Sequence, residues 1–365
     1  MEKLLGVITA NYSTKYPSVL SETRPVASLP YLGRYRVVDF ALSNMVNAGI
    51  RTVGMIMPYN YRSLIDHIGS GRDWDLNRKK GGLFILPGSA FGTSRTGSRF
   101  LLRDLEYNKV FLKRSDAEHV VLSSASFVYN MDYDKLIEAH KASGADITVV
   151  TQPAKGKDAD VTGLSVDGTR VHGIKHGVER GEVSFLDCFV IGREFLLQLL
   201  NWYEQTDYLD LFEAMAADYE RVNVQTYDFD GYVAPIFNKD NYFKSNMDML
   251  DPKISAELFP AGRTIKTKAH DNAPAKFETG SRVSNSRVSG SCRIKGTVSN
   301  SILGRNVVVE TGAVVNNSVV MQSCVIKTGA RVENAIVDRD NVVPAGTELK
   351  GTPEALFIKE KASVE

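Results

Sequence analysis

A six-residue repeat in the last quarter of the chain restricts its fold more than any other feature. Ile302, Val308, Val314, Val320, Ile326 and Val332 recur at a spacing of six, with Gly304, Asn306, Gly312, Asn317 and Gly329 between them. Neither the helical period of 3.6 nor strand alternation generates that pattern. A hexapeptide period is the signature of a parallel β-helix, in which each hexapeptide forms one side of a triangular coil. On this reading the aliphatic residue points to the coil axis, and the Gly or Asn turns the corner with positive φ. A sandwich of short strands would not keep so strict a period.

The first two thirds of the chain read differently. Leu4 to Ala10 is a short apolar run of the kind buried on both faces of a sheet. Val37 to Ala48 carries apolar residues at helical spacing and stops at Gly49. Thr52 to Met57 is a strand ended by Pro58, Leu64, Ile65 and Ile68 mark a short helix, and His119 to Ser123 is a strand. Asp134 to Ser143 is a helix stopped by Gly144, and Ile147 to Thr151 a further strand. This alternation predicts a mostly parallel sheet with helices on both faces. The expected organisation is an α/β domain over 1–250, a linker over 251–275 and a β-helix domain over 276–365. The linker holds Pro252, Pro260, Pro274 and Gly262, which forbid a continuous helix.

Composition excludes several classes. The chain has 365 residues, 43% hydrophobic and 24% charged, with a formal charge of +1. No basic excess points to nucleic acid, although a few arginines suffice for a local phosphate pocket. No apolar run approaches the roughly 18 residues that span a bilayer. The apolar run at the N-terminus lacks a small-residue cleavage site and reads as a strand, not a signal peptide. Cys188, Cys292 and Cys324 are too far apart for metal-ligand spacing, which suits free thiols and a cytoplasmic location.

In an open α/β sheet, ligands bind beyond the C-terminal ends of the strands. The loop after the first strand, Asn11 to Ser18, has no glycine to let backbone N–H groups approach a phosphate. Tyr12 and Tyr16 would fill the space a triphosphate needs, and Lys15 is weak evidence for an anion. The strand ending at Ser123 leads into Ser124-Ala125-Ser126-Phe127, with no carboxylate for Mg²⁺. The six histidines show no metal-ligand spacing and read as structural or surface residues.

Gly33-Arg34-Tyr35-Arg36-Val37-Val38-Asp39-Phe40-Ala41-Leu42-Ser43-Asn44, followed by Asn47-Ala48-Gly49-Ile50, resembles the opening block of bacterial glucose-1-phosphate adenylyltransferases. The resemblance extends over nearly the whole chain. It implies a nucleotidyltransferase-like, Rossmann-like domain followed by a left-handed β-helix, in a family that makes ADP-glucose from ATP and glucose 1-phosphate with Mg²⁺ for glycogen synthesis. The departures point away from catalysis. The family's Gly-Gly-x-Gly-Thr-Arg loop places its glycines on Asn11, Tyr12 and Thr14 and its arginine on Tyr16. The active-site lysine falls on Val26. The Gly-Thr-Ala-Asp-Ala segment falls on Phe100 to Asp104. The two metal aspartates fall on Ser126 and Pro235, and the Glu-Lys-Pro segment has no match near Lys175 to Glu182. This set resembles the non-catalytic D-type subunits found beside a catalytic C-type subunit in Gram-positive bacteria. The chain is expected to carry no catalytic residue, metal or cofactor, Mg²⁺ belonging to the catalytic partner of a hetero- or homo-tetramer.

Effectors of the family bind between the α/β domain and the β-helix. The matching positions here are Arg24, Arg36, Ser63, Arg114 and Arg339, which keep the family's charge or hydroxyl, while Thr23 and Pro30 depart from it. The resemblance therefore implies a site for a phosphorylated small molecule, since guanidinium binds phosphate in bidentate fashion. Two enzymatic readings compete. A divergent nucleotidyltransferase would need Asp132, Asp228 or Asp230 to replace the lost carboxylates. A hexapeptide acyltransferase would need a histidine on the β-helix, and none follows His270.

Overall fold

The computed structural model describes residues 3–10, 19–88 and 99–361. A nine-stranded sheet organises the first lobe. Its strands, in chain order, are β1 (Leu4–Thr9), β2 (Thr52–Met57), β3 (Gly82–Pro87), β4 (His119–Ser124), β5 (Ile147–Pro153), β6 (Asp158–Asp167), β7 (Arg170–Val178), β8 (Val183–Gly192) and β9 (Val224–Asp228). Across the sheet they run β3-β2-β1-β4-β8-β5-β9-β7-β6. The strands β1 to β4 are mutually parallel, as their helical crossovers dictate. From β6 to β8 the connections are tight turns, and β8 lies antiparallel between β4 and β5. The sheet is therefore parallel on one side and mixed on the other.

Helices cover both faces. One core cluster joins β1, β2 and β4 to α1 (Val38–Asn47), α2 (Arg62–Ile68) and α5 (Tyr133–Ser143), with Met45, Leu64 and Leu136 fully buried. The opposite face packs on α3 (Leu102–Tyr107), α4 (Lys109–Lys113) and α6 (Arg193–Trp202) through Leu105, Leu112 and Leu199.

The segment 251–275 contains a short helix, Pro252–Leu258, with the Asp251 side chain capping its N-terminus and proline in its first turn. Proline opens the helix here and Pro260 follows it. The chain then lies along the first lobe: the Lys266 N–H donates to Ser43 Oγ, and the Asn47 amide donates to the Thr264 carbonyl.

The last hundred residues coil into a parallel β-helix, but its repeat departs from eighteen. Val308 pairs with Val325 and Val325 with Val342, seventeen residues apart each time. Lys276 pairs with Arg293, also seventeen on, but the turn that follows is shorter, with Arg282 to Thr297 and Arg293 to Val308 each fifteen apart. One side of each full coil is thus a residue short. The axial residues are Leu303, Val309, Val315, Val320, Ile326 and Val332, all buried. This corrects the strict spacing of six. Val320, Ile326 and Val332 do face the axis, whereas Val308 and Val314 point outward and are half-buried. Ile302 instead joins a third cluster, with Tyr31, Phe40, Tyr242, Val319 and Ile336, which seals the coil against the first lobe. The corners follow expectation at Asn306, Gly312, Asn317 and Gly329, all with positive φ. Gly304 has no positive φ and is required for another reason, taken up below.

Candidate functional site

The expected nucleotide site lies at the C-terminal ends of β1 and β4. Asn11, Tyr12, Thr14, Lys15 and Tyr16 fall outside the described residues. The other departed positions are all in view: Val26, Phe100 and Ser126 are buried, whereas Pro235 lines an open cavity of about 330 Å³ together with Gln152, Lys155 and Ser184. Val26 sits in a single helical turn and is buried with Leu20, Leu29 and Tyr31. Phe100 is 1% exposed, wedged among Phe185, Phe189 and Phe212 with its ring centroid 4.9 Å from that of Phe189. Arg103 pairs with Asp207 at 2.9 Å.

Ser126 and Pro235, far apart in sequence, stand diagonally across one short ladder. Pro235 pairs with Phe127, and the Ile236 N–H donates to the Ser126 carbonyl at 2.8 Å. The two positions matched to metal aspartates are thus brought together, but they offer one buried hydroxyl and one pyrrolidine ring. A hard divalent cation wants several oxygen donors, preferably carboxylate, so these residues do not fit Mg²⁺. Of the three aspartates considered as substitutes, two are engaged by other groups and the third faces solvent. Asp132 caps α5 and lies 3.4 Å from Arg263, Asp228 accepts from Thr151 Oγ1 at 2.6 Å, and Asp230 is exposed. Among the described residues no three His, Cys, Asp or Glu side chains are placed to hold a metal.

The second candidate is a basic seam between the lobes. A cavity of about 360 Å³ is lined by Arg34, Arg36, Ser63, His67, Lys268, His270, Arg305 and Arg339, with Thr23 and Pro30 also at its wall. A second cavity of about 690 Å³ adjoins it and shares Arg34, Tyr35, Lys268, His270 and Arg305. Arg36 leads into α1 and donates from Nη1 to the Ser63 carbonyl at 2.9 Å. Arg305 comes from the coil and donates to the Arg34 carbonyl at 2.8 Å. Lys268, on the segment strapped to the first lobe, donates to the Asp66 carbonyl at 2.6 Å. None of Arg34, Arg36, Lys268 and Arg305 has a carboxylate within ion-pair distance among the described residues.

Clustered cations raise one another's free energy. Burial first, and then Arg339 and Arg24 against the opposing pull of Asp39, bring Arg36 down to about 10. Burial, Arg305 and Lys268 together make it harder for His270 to hold a proton. This cleft of positive groups has one acid at its rim, Asp66, and carries a positive potential.

Of the five positions expected to meet an effector, the structure brings Arg36, Ser63 and Arg339 to this cavity. Arg24 requires correction: its guanidinium is buried and paired with Asp338 at 2.7 Å, so it braces the seam from behind. Arg114 also requires correction. It is exposed at the C-terminal end of α4 and is absent from the cavity wall. Arg34, Lys268, His270 and Arg305 were not among the expected residues, and two of the six histidines, His67 and His270, stand in the cavity wall. Positive charge in Lys266-Thr267-Lys268-Ala269-His270, unbalanced within that stretch, was the available signal.

Comparison with known proteins agrees with this architecture. The nucleotidyl transferase family profile matches residues 18–171, and the GlmU-like C-terminal hexapeptide profile matches residues 273–355. A glycogen biosynthesis protein GlgD of Geobacillus stearothermophilus is 36% identical over 100% of this chain and 97% of its own length. The GlgD of Bacillus subtilis (strain 168) is 30% identical over 85% of this chain and 82% of its own. A glucose-1-phosphate adenylyltransferase of Pseudothermotoga lettingae is 30% identical over 86% of this chain and 77% of its own. No helix among the described residues is long and apolar enough to cross a membrane. With its two lobes, its inter-lobe seam and a relative matched from end to end, this chain belongs to the nucleotidyltransferase family of glycogen biosynthesis that contains the GlgD proteins and the glucose-1-phosphate adenylyltransferases.

Proposed function

We propose that this chain is a regulatory, non-catalytic subunit that works beside a catalytic homologue making ADP-glucose from ATP and glucose 1-phosphate. One observation carries the reading. Ser126 and Pro235, on which the catalytic pattern of the family places its two metal aspartates, are diagonal neighbours across a single ladder and supply no carboxylate. A metal at that point carries the charge of the transferring phosphoryl group, and losing its ligands removes several kcal/mol of transition-state stabilisation. Phe100 and Val26, both buried, occupy positions of the nucleotide-shaping segment and the active-site lysine. On this reading Mg²⁺ belongs to the partner, and the assembly is a tetramer of homologous chains.

The seam supplies the regulation. Arg36 and Arg339, with Ser63 beside them, suit the phosphate of a small phosphorylated effector. An effector that binds more tightly in one arrangement of the lobes shifts the population toward it, and the partner feels the shift through the shared interface.

The test is ADP-glucose synthesis by three preparations: this chain alone, a catalytic homologue from the same genome alone, and the two co-expressed. The expected result is silence from this chain and altered effector response in the mixture, the response falling at least about fivefold in Arg36→Ala and Arg339→Ala. Robust Mg²⁺-dependent synthesis by this chain alone would overturn the reading and make it a divergent nucleotidyltransferase.

A further inference from the structure

We propose that His67 sets the pH dependence of anion binding in the seam, with Asp39 as the positioning residue that couples its proton to Arg36. This rests on the anion reading of the cavity given above. Asp39 is fully buried in the first turn of α1, and its two oxygens go two ways. Oδ2 accepts the backbone N–H of Arg36 at 2.9 Å, and Oδ1 lies 2.6 Å from Nε2 of His67. His67 stands on α2 one turn after Ser63, whose carbonyl accepts the Arg36 guanidinium. Arg36 is therefore tied to α2 twice, by its main chain through Asp39 and His67 and by its side chain through Ser63. The imidazole is 5% exposed, lies edge-on to Trp74 with centroids 5.7 Å apart, and borders the cavity.

The charge states follow from this geometry. With a neutral His67 donating from Nε2 to Asp39, the pair is a net anion beneath Arg36 and cancels part of its field. With a protonated His67 the pair is neutral, and the seam gains one positive charge. An anion in the seam must then bind more tightly, and by linkage a bound anion must favour the proton. On its own helix His67 meets Asp66 and Arg62. On α1 and the residues before it stand Asp39 and Arg36. Across the cavity stand Lys268 and His270 on the strapped segment and Arg305 on the coil. The surrounding charge is mostly positive, so proton and anion enter best together. His270 is the other imidazole in the wall; burial, Arg305 and Lys268 disfavour its proton, and no carboxylate pairs with it among the described residues.

The experiment uses the full chain and sulfate, whose charge is fixed across the working range, titrated calorimetrically from pH 5.5 to 8.0. The expected result is an affinity that weakens about fivefold across that range in the wild type and in His270→Asn. In His67→Asn and His67→Gln, whose amides can still donate to Asp39, the affinity should stay level. An equal slope in the His67 variants, or a slope lost in His270→Asn, overturns the proposal. Sulfate binding with no slope in the wild type overturns it and leaves the anion reading standing. No sulfate binding at any pH overturns the anion reading itself. Should neither His67 variant fold, NMR titration of the wild-type His67 ring decides the matter: its titration midpoint must move to higher pH when sulfate is added, and an unmoved midpoint overturns the proposal.

Discussion

Arg24 and Arg36 lie close together in the sequence, and both matched positions of the same expected site, yet they do different work. Arg36 faces the cavity with no carboxylate at ion-pair distance among the described residues. Arg24 is turned away, donates to the Leu20 carbonyl at 3.0 Å and spends its charge on Asp338 from the far end of the chain. A buried pair adds little over an apolar replacement, but breaking it strands a charge. Asp338→Ala should therefore cost about 3–5 kcal/mol in urea unfolding, and the double variant Arg24→Met/Asp338→Leu should recover most of the loss. If Asp338→Ala unfolds at the wild-type midpoint, Arg24 is hydrated and available to a ligand after all. The sequence disclosed which residues could bind an anion. It could not disclose which of them already had a partner, because that partner lies 314 residues away.

At the scale of elements, the β-helix was legible from its aliphatic period, and the orientation of its first coils was not. The reason lies in Val307-Val308-Val309, Val314-Val315 and Val319-Val320. Where two or three aliphatics are adjacent, a spacing of six can be threaded through either the inner or the outer one, and only the stacking shows that the coil is seventeen residues long. Two glycines separate the constraints on such a coil. Gly329 turns a corner at φ 71°, where a Cβ would meet only the Gly346 nitrogen, at an unstrained 4.0 Å. Gly304 lies on no such corner, but a Cβ there would stand 2.5 Å from the Gln322 nitrogen on the next coil. Gly329→Ala should cost about 1–2 kcal/mol, the strain of a left-handed alanine. Gly304→Ala pushes against main chain that cannot yield and should lower the thermal midpoint further. The reverse order would show that the coils can slide apart locally.

For the molecule as a whole, one buried carboxyl links pH to stability. Asp187, on the bulge of β8, is 1% exposed, lies 2.5 Å from Arg99 Nε and accepts from Ser124 at 3.3 Å. Burial pushes its carboxyl up to about 7, against the pull of Arg99 and with help from Asp210. The folded chain keeps this proton up to about 7, whereas an unfolded aspartate loses it near about 3.9. Between those values the unfolded state binds fewer protons, so stability falls as pH rises through the window. Asp187→Asn should flatten that decline when urea midpoints at pH 5 and pH 7.5 are compared, and an unchanged slope would assign it to another group. Little of this was legible beforehand, since burial by distant aromatic residues leaves no local trace around Asp187. The burial of Val26, Phe100 and Ser126 has a consequence of another kind. Going back toward the catalytic set means removing Phe100, which opens a void worth about 3–5 kcal/mol. It also means placing a lysine at Val26 and a carboxylate at Ser126, where each charge would be buried alone until the other and a metal were present. Every single step back is a loss, and the gain comes only after the last. On the proposed non-catalytic reading, and for a lineage that changes one codon at a time, these buried replacements act as a ratchet, and descendants of this gene drift further from catalysis rather than return to it.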